Sequence, residues 1–450
     1  MTVLDTHPED AFANDRAHVF HSWSAQGTLN PLVVSGAEGS YFWTQDGTRY
    51  LDFSSQLVNV NIGHQHPRLV AAIKEQADQL CTVAPFHAND ARSEAARLIC
   101  EVAAEKITDS QLDMVFFTNG GAEATENAVR MARLHTGRGK VLTHYRSYHG
   151  GTNGAIMLTG DPRRWPSEPG MPGVVKFWGP YPYRSAFHSS NEAEECERAL
   201  AHLDDVLMVE GSHTVAAILV ETVVGTNGIL VPPDGFIQGI RALCDKYGIL
   251  MIGDEVMAGF GRTGKWFSIE HWNVVPDIMT MAKGLTSAYV QLGAVGMRRS
   301  VADAFKDKVF YGGLTYNSHP LACAAALATL QVYEEDKLIE NARRMGVVMR
   351  QLLDDLARKH PSVGAARSIG LFGLVELVRD RAKKTPLAPF NGTSEEMAAL
   401  SKFFRQEGLY TFVRWHTFFT NPPLCITEAQ LREAFEIIDR GLEITDRAVA

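Results

Sequence analysis

Three apolar segments of the chain each end in a residue that could take part in chemistry. Met114–Thr118 runs into Asn119-Gly120-Gly121, Ile249–Asp254 ends in a carboxylate, and Ile278–Ala282 is followed by Lys283. Paired glycines before a helix let backbone N–H groups approach an anion closely. A buried acid is costly unless it is paired. A lysine that loses its solvent has a lowered pKa and becomes a nucleophilic amine.

Each of these features has a plainer explanation when it is taken alone. The glycines could form an ordinary turn, Asp254 could cap a helix, and Lys283 could be a surface charge. In open parallel sheets, however, ligands bind outside the carboxyl ends of the strands. An anion seat, a carboxylate and an amine at that edge are the set that pyridoxal 5′-phosphate (PLP) requires, with the lysine as its Schiff-base partner.

The pattern of the middle of the chain predicts a sheet that could hold these residues. The strand candidates are Met114–Thr118, Lys140–His144, Ala216–Glu221, Ile249–Asp254, Ile278–Ala282 and Leu292–Met297. Amphipathic helices lie between them, one of which places Thr125, Ala128 and Ala132 on one face. Continuous apolar strands that alternate with helices indicate an α/β domain whose mostly parallel sheet is covered on both faces.

The two ends of the chain have a different pattern. Glu38–Phe53 predicts a hairpin around Asp46-Gly47. From about residue 326 long helices with few strands are expected, and the last of them begins after Thr427 as its N-cap. We therefore predict a large domain over 60–325 and a smaller α+β domain built from 1–59 and 326–450.

Composition excludes several other classes of protein. The chain has 450 residues and a net charge of −9 without a Lys/Arg stripe, so a nucleic-acid surface is not expected. Apolar stretches such as Val215–Val220 are too short to cross a membrane, and the N-terminus lacks the apolar run of a signal peptide. Six scattered cysteines indicate reduced thiols in the cytoplasm, with no disulfide frame and no metal site.

Several motifs also occur in the order found in one known family. They are Asn119-Gly120-Gly121-Ala122-Glu123, Tyr148-His149-Gly150, Glu221, Asp254-Glu255-Val256, Gly259–Gly264, Lys283-Gly284, Thr315-Tyr316 and His319-Pro320. Over nearly its whole length the chain resembles the class III (subgroup II) aminotransferases of PLP fold type I, in particular the ω-amino acid and amine:pyruvate transaminases. The resemblance implies an enzyme that moves an amino group by a ping-pong mechanism.

The same resemblance implies a role for each residue around the cofactor. Gly120 and Gly121 hold the phosphate, and Thr315 binds it from the other subunit of a homodimer with shared sites. Lys283 binds the cofactor covalently and then moves the proton.

The faces and edges of the cofactor ring are assigned in the same way. Tyr148 and Val256 cover the two faces, Asp254 keeps the ring nitrogen protonated, and Glu221 lies near the phenolic oxygen. His149 is expected only to shape its turn.

Substrate choice depends on fewer positions. Similar enzymes have an arginine near Arg414 that grips the acceptor's carboxylate and swings aside for uncharged donors. Relatives acting on 4-aminobutyrate or ornithine often pair it with a Glu at the position of Thr226, so Thr226 should leave Arg414 freer. That favours an amine or ω-amino acid donor with pyruvate as acceptor. The expected pocket residues are Trp23, Leu57, Val58, Phe86 and Trp415, with core packing as the alternative.

Other functions stay open at this point. A 4-aminobutyrate, diamine or taurine aminotransferase using 2-oxoglutarate fits the same motifs. A decarboxylase, aminomutase or racemase would use the same cofactor residues. A binding protein without turnover is the alternative from another class, and the complete set of cofactor residues argues against it.

Overall fold

The computed structural model describes residues 10–449. The helices are α1 Asp10–His18, α2 Ser55–Val58, α3 Pro67–Gln79, α4 Asp90–Lys106, α5 Gly121–Thr136, α6 Asn153–Leu158, α7 Glu192–Glu210, α8 Phe236–Tyr247, α9 Arg299–Asp303, α10 Pro320–Glu335, α11 Leu338–Lys359, α12 Glu395–Gln406 and α13 Glu428–Asp446. The strands are β1 Val34–Glu38, β2 Tyr41–Thr44, β3 Arg49–Asp52, β4 Leu112–Thr118, β5 Lys140–His144, β6 Val174–Phe177, β7 Val215–Glu221, β8 Leu250–Asp254, β9 Ile278–Met281, β10 Gly293–Arg298, β11 Val363–Ile369, β12 Phe372–Asp380, β13 Thr385–Pro386, β14 Leu409–Tyr410, β15 Val413–Arg414 and β16 Thr417–Thr420. Within these residues no helix is both long enough and apolar enough to cross a bilayer.

A seven-stranded sheet with the order β4-β10-β9-β8-β7-β5-β6 forms the centre. Only β10 runs antiparallel to its neighbours, so the predicted strands and their largely parallel arrangement are confirmed. Both faces of the sheet are covered: Ala217 and Leu219 pack in the core that contains α5, whereas Ile218 and Val220 belong to the core on the opposite face. The short edge strand β6 was not predicted, because four residues give too little pattern.

The register of the central strands determines where the polar residues meet. Glu221 pairs with Asp254 across β7 and β8, and Asp254 pairs with Thr280 of β9. Lys283 lies two residues beyond the end of β9. Because these strands are parallel, Glu221, Asp254 and Lys283 lie at the same edge of the sheet, as the sequence predicts.

The N-terminal hairpin forms as expected and joins the C-terminal part of the chain. Asp46 Oδ1 accepts hydrogen bonds from the Thr44 hydroxyl (2.6 Å) and the Thr48 N–H (3.1 Å), and Gly47 adopts φ +85°. Strand β3 then pairs in parallel with β14, with Leu51 opposite Leu409. The first and last segments of the chain therefore share one sheet.

The expectation of few strands after residue 326 is wrong. Strands β11, β12, β16 and β15 form a sheet in that order, and β13 pairs with β12. The strands β13 to β16 are two to four residues long, too short for alternation to show. The final helix is confirmed, since Thr427 and Gln430 form a capping box at the start of α13.

A fully buried arginine in the loop that follows Asp254 contacts segments from the N-terminal and C-terminal parts of the chain. The Arg262 guanidinium donates to the Asn61 Oδ1 (2.8 Å), to the Ser55 hydroxyl (3.2 Å), and to the backbone carbonyls of Leu371 and Pro422. Burial lowers its pKa to about 10. Because the acceptors come from distant segments, this one side chain ties them together.

We expect Arg262→Met to lower the free energy of unfolding by on the order of 3 kcal/mol, since it leaves several buried acceptors unpaired. The denaturant midpoint measures this change. The control is Arg97→Met, which removes an exposed ion-paired arginine from α4 and should shift the midpoint much less. Equal losses in the two variants would contradict the role given to Arg262.

Candidate active site

A cavity of about 240 Å³ lies at the carboxyl edge of the central sheet. Its lining brings together six of the residues singled out from the sequence: Gly121, Tyr148, Glu221, Asp254, Val256 and Lys283. They come from five separate segments of the chain. The predicted constellation of an anion seat, a carboxylate and an amine is therefore present in one place.

The Asp254 carboxylate is buried, with only 4% of the residue exposed. Its Oδ2 lies 2.6 Å from the His149 Nδ1, and its Oδ1 accepts the Val256 N–H at 3.0 Å. The His149 Nε2 in turn lies 3.2 Å from the Thr143 hydroxyl. With Nδ1 protonated, the imidazole donates to the carboxylate and fixes its direction.

The sequence led us to expect that His149 only shapes its turn, but the side chain also contacts Asp254. The His149 backbone N–H does bond to the Thr159 hydroxyl (3.0 Å), which supports the turn. The contact with Asp254 was missed because it joins residues 105 positions apart. The available signal was a histidine in the loop that follows a central strand, at the edge where Asp254 was expected.

Lys283 faces this cavity with its backbone at φ +43°. Burial lowers the pKa of its amine to about 8, although the nearby carboxylates of Glu221 and Asp254 partly oppose that shift. A substantial fraction of the amine is thus neutral near physiological pH. A neutral amine is the form that attacks a carbonyl carbon.

Glu221 is a second buried carboxyl group at this edge. Its Oε1 accepts the Tyr148 N–H and its Oε2 accepts the Gly225 N–H, both at 2.6 Å. Burial raises the pKa of Glu221 to about 7, with the charge of Asp254 adding to the effect and His149 opposing it. Glu221 therefore anchors the loop that carries Tyr148 and can exist protonated or ionised near neutral pH.

The residues around the cavity fit PLP. Gly120 is the N-cap of α5, where free N–H groups of the first turn can bind a phosphate. A Cβ on Gly121 would lie 2.9 Å from the Val256 Cγ1, so a side chain there would collide with the cavity wall. A helix N-terminus, a buried carboxylate and a buried amine, the three groups that PLP requires, are all present.

A second cavity of about 440 Å³ adjoins the first, and Tyr148, Thr226, Met257 and Lys283 line both. Its other walls are mostly apolar and contain four of the expected pocket residues: Trp23, Leu57, Val58 and Trp415. Two guanidinium groups, those of Arg163 and Arg414, also face it. An apolar chamber with a few polar groups next to Lys283 has the features of a small-molecule site.

Thr226 supplies no carboxylate to Arg414, but a carboxylate from another segment lies close to it. The Arg414 NH2 lies 3.3 Å from the Oδ2 of Asp161, and the Arg163 Nε lies 2.8 Å from the same atom. Thr226 instead accepts a hydrogen bond from Arg163 at 2.8 Å. Asp161 and Arg163 were missed because they lie at the start of a short 3-10 helix, Pro162–Ser167, which has no amphipathic pattern to reveal it.

The remaining two predicted residues lie apart from these cavities. Phe86 and Thr315 line a broad surface groove of about 990 Å³, and Phe86 is 84% exposed. Val309, Tyr311 and Tyr316 are also exposed on 309–316. In a single chain this apolar surface is uncovered.

Comparison with known proteins identifies the family. The model of the class III aminotransferases matches residues 23–442. The chain belongs to this family. It is therefore a PLP-dependent aminotransferase of fold type I, and the cofactor, the enzyme class and the fold class expected from the sequence are confirmed.

Solved structures of similar proteins extend over almost the whole chain. Taurine:2-oxoglutarate aminotransferase from Bifidobacterium kashiwanohense, in complex with PLP and glutamate, is 41% identical, with a TM-score of 0.94, and covers 99% of this chain and 100% of its own. An (S)-enantioselective ω-transaminase from Thermomicrobium roseum is 36% identical, with a TM-score of 0.91 and coverages of 98% and 99%. Taurine–pyruvate aminotransferase from Bilophila wadsworthia is 32% identical over 97% of both chains.

We expect His149→Phe to weaken PLP binding by about 10-fold or more, because it keeps a ring but leaves Asp254 without its donor. Titration of the apo-protein with PLP, followed by the visible absorbance of the bound cofactor, measures this. The control is His144→Phe, since His144 is also buried but bonds to the Tyr145 carbonyl rather than to Asp254. Similar losses in both variants would show that contact with Asp254 is not what matters.

Proposed function

We propose that this aminotransferase moves the amino group of an amine or ω-amino acid to pyruvate in two half-reactions. The observation that carries the proposal is the apolar 440 Å³ chamber, which opens onto Lys283 and holds the Arg414 guanidinium. An apolar chamber accepts the carbon skeleton of an amine, and a guanidinium binds the carboxylate of a keto acid.

Within this proposal each cofactor residue has one task. Gly120 and Gly121 bind the phosphate, Tyr148 and Val256 cover the faces of the ring, and Asp254 holds the ring nitrogen protonated. Bound PLP supplies an electron sink for the carbon that bears the amine.

Lys283 and Glu221 have separate tasks. The Lys283 amine binds the cofactor and, once displaced by the donor, carries the proton between the donor carbon and the cofactor. A lowered pKa suits it to both steps, because it can take up and release a proton near neutral pH. Glu221 holds the Tyr148 loop and lies toward the substrate side.

The substrate residues follow from the second cavity. Trp23, Leu57, Val58 and Trp415 form the walls for the donor, and Arg414 binds the carboxylate of the acceptor. Relatives named for taurine and pyruvate, or for ω-amines, support this range of substrates.

A second candidate uses 2-oxoglutarate as the acceptor. The neighbour at 41% identity is named for that keto acid. A second guanidinium, Arg163, lines the same chamber and could bind a second carboxylate. The two candidates differ only in the acceptor and are separated by the assay below.

We also propose a homodimer in which each subunit completes the other's site. The exposed apolar groove that holds Phe86 and Thr315 is the surface that would be covered. Thr315 would then reach the phosphate, and Phe86 the chamber, of the partner subunit. The six free cysteines support a reducing, cytoplasmic setting for this enzyme.

The test is a donor screen with the purified holoenzyme. We expect alanine to form from pyruvate with at least one of 1-phenylethylamine, β-alanine and taurine. Parallel reactions with 2-oxoglutarate, scored for glutamate, decide the acceptor. Glutamate without alanine would move the assignment to the second candidate, and neither product from any donor would contradict amino transfer to these keto acids.

A further inference from the structure

Asp161 lies between the two guanidinium groups of the substrate chamber. The carboxylate is buried and accepts hydrogen bonds from the Arg163 side chain, the Arg163 N–H and the Asn227 amide, the last at 3.0 Å. Arg414 reaches the same oxygen, Oδ2, from the C-terminal part of the chain. Burial by itself would raise the pKa of Asp161, but the hydrogen bonds and charges of Arg163 and Arg414 hold it below its usual value.

The two arginines are held very differently. Arg163 bonds to Asp161 and to Thr226, and its guanidinium stacks 3.7 Å from the centre of the Tyr148 ring. Arg414 has one contact with Asp161 at 3.3 Å and lies 4.3 Å from the Trp415 ring. It also belongs to β15, a two-residue strand at the edge of its sheet. Arg163 is therefore the fixed cation and Arg414 the one that moves at low cost.

The two guanidinium groups of the chamber share one carboxylate. Among the described residues that line the chamber none is acidic, and Asp161 behind the wall contacts both Arg163 and Arg414. A buried guanidinium without a full counter-charge is unfavourable. Consistent with this, burial and the charge of Arg163 lower the pKa of Arg414 to about 10. An incoming carboxylate would supply the missing charge.

We propose that Asp161 is a specificity-determining residue. Asp161 holds Arg414 while an amine without a carboxylate fills the chamber. When the keto acid binds, Arg414 leaves Asp161 and pairs with the carboxylate of the keto acid. The inference rests on the proposed function, in which one chamber accepts both substrates in turn. Asp161 thus sets the difference in binding free energy between a substrate without a carboxylate and a substrate with one. It acts through Arg414 and need not contact either substrate.

Position 226 allows a direct test, because the Thr226 hydroxyl is 2.8 Å from Arg163 and faces the same chamber. A glutamate there would bring a second carboxylate to the arginine pair from another segment. Thr226→Gln adds the same bulk without the charge and is the matched control. Asp161→Asn removes the original charge and keeps the shape, and the double variant moves the carboxylate from 161 to 226.

In Asp161→Asn holoenzyme we expect KM for 1-phenylethylamine to rise about 10-fold. Arg414 then has no counter-ion, and the amine must displace the water that solvates its guanidinium. KM for pyruvate should stay the same or fall. In Thr226→Glu we expect KM for pyruvate to rise about 10-fold, and in Thr226→Gln much less. The double variant should return both constants toward those of the unmodified enzyme.

Calorimetric titration of the holoenzyme with propionate, an unreactive analogue of pyruvate, gives a reading that does not depend on turnover. We expect tighter binding in Asp161→Asn and weaker binding in Thr226→Glu. Unaltered propionate affinity in both variants, or equal changes of KM for amine and keto acid, would overturn the proposal.

Two further outcomes are also decisive. If Asp161→Asn loses the visible cofactor band, the comparison of Thr226→Glu with Thr226→Gln decides alone. If the unmodified enzyme makes no alanine, the proposed function fails, and propionate binding still tests the role of Asp161.

Discussion

The active site depends on holding one carboxyl group, that of Asp254, correctly directed inside the protein. A buried polar group without partners is costly, so the segments that donate hydrogen bonds to Asp254 must lie close to it. His149 supplies one partner from the loop after β5, and the Val256 N–H supplies another from the chain that follows β8. Lys283 lies just beyond the end of the next strand, β9, where burial lowers the pKa of its amine. Parallel strands in register are what bring these groups together.

The substrate chamber differs from the cofactor cavity because segments from the N-terminal and C-terminal parts of the chain form much of its wall. The wall at residues 56–59 comes from the N-terminal part and includes Gln56 and Val58 at φ +58° and +55°, which are strained for residues with side chains. Asp52 holds this backbone by accepting the Gln56 N–H at 3.0 Å, and Arg262 ties it to the C-terminal part. Strain held by a buried network keeps the wall rigid, while Arg414 on its short edge strand remains free to respond to charge.

The sequence predicts the parts whose physical signal is local. Apolar strands ending in Asp254 and Lys283, the glycines before α5 and the Asp46-Gly47 turn all carry such a signal. Contacts between distant segments do not, and for this reason the partnership of His149 with Asp254 and the link from Asp161 to Arg414 were missed. The strands after residue 326 were missed too, because the short ones exist only through pairing with neighbours far away in the chain.

The most direct test of the account is to find which lysine carries the cofactor. Borohydride reduction of the holoenzyme fixes PLP covalently to its lysine, and peptide mapping by mass spectrometry then locates it. The account predicts a pyridoxyl group on Lys283 and none on any other lysine. A pyridoxyl group on another lysine, with Lys283 unmodified, would contradict it.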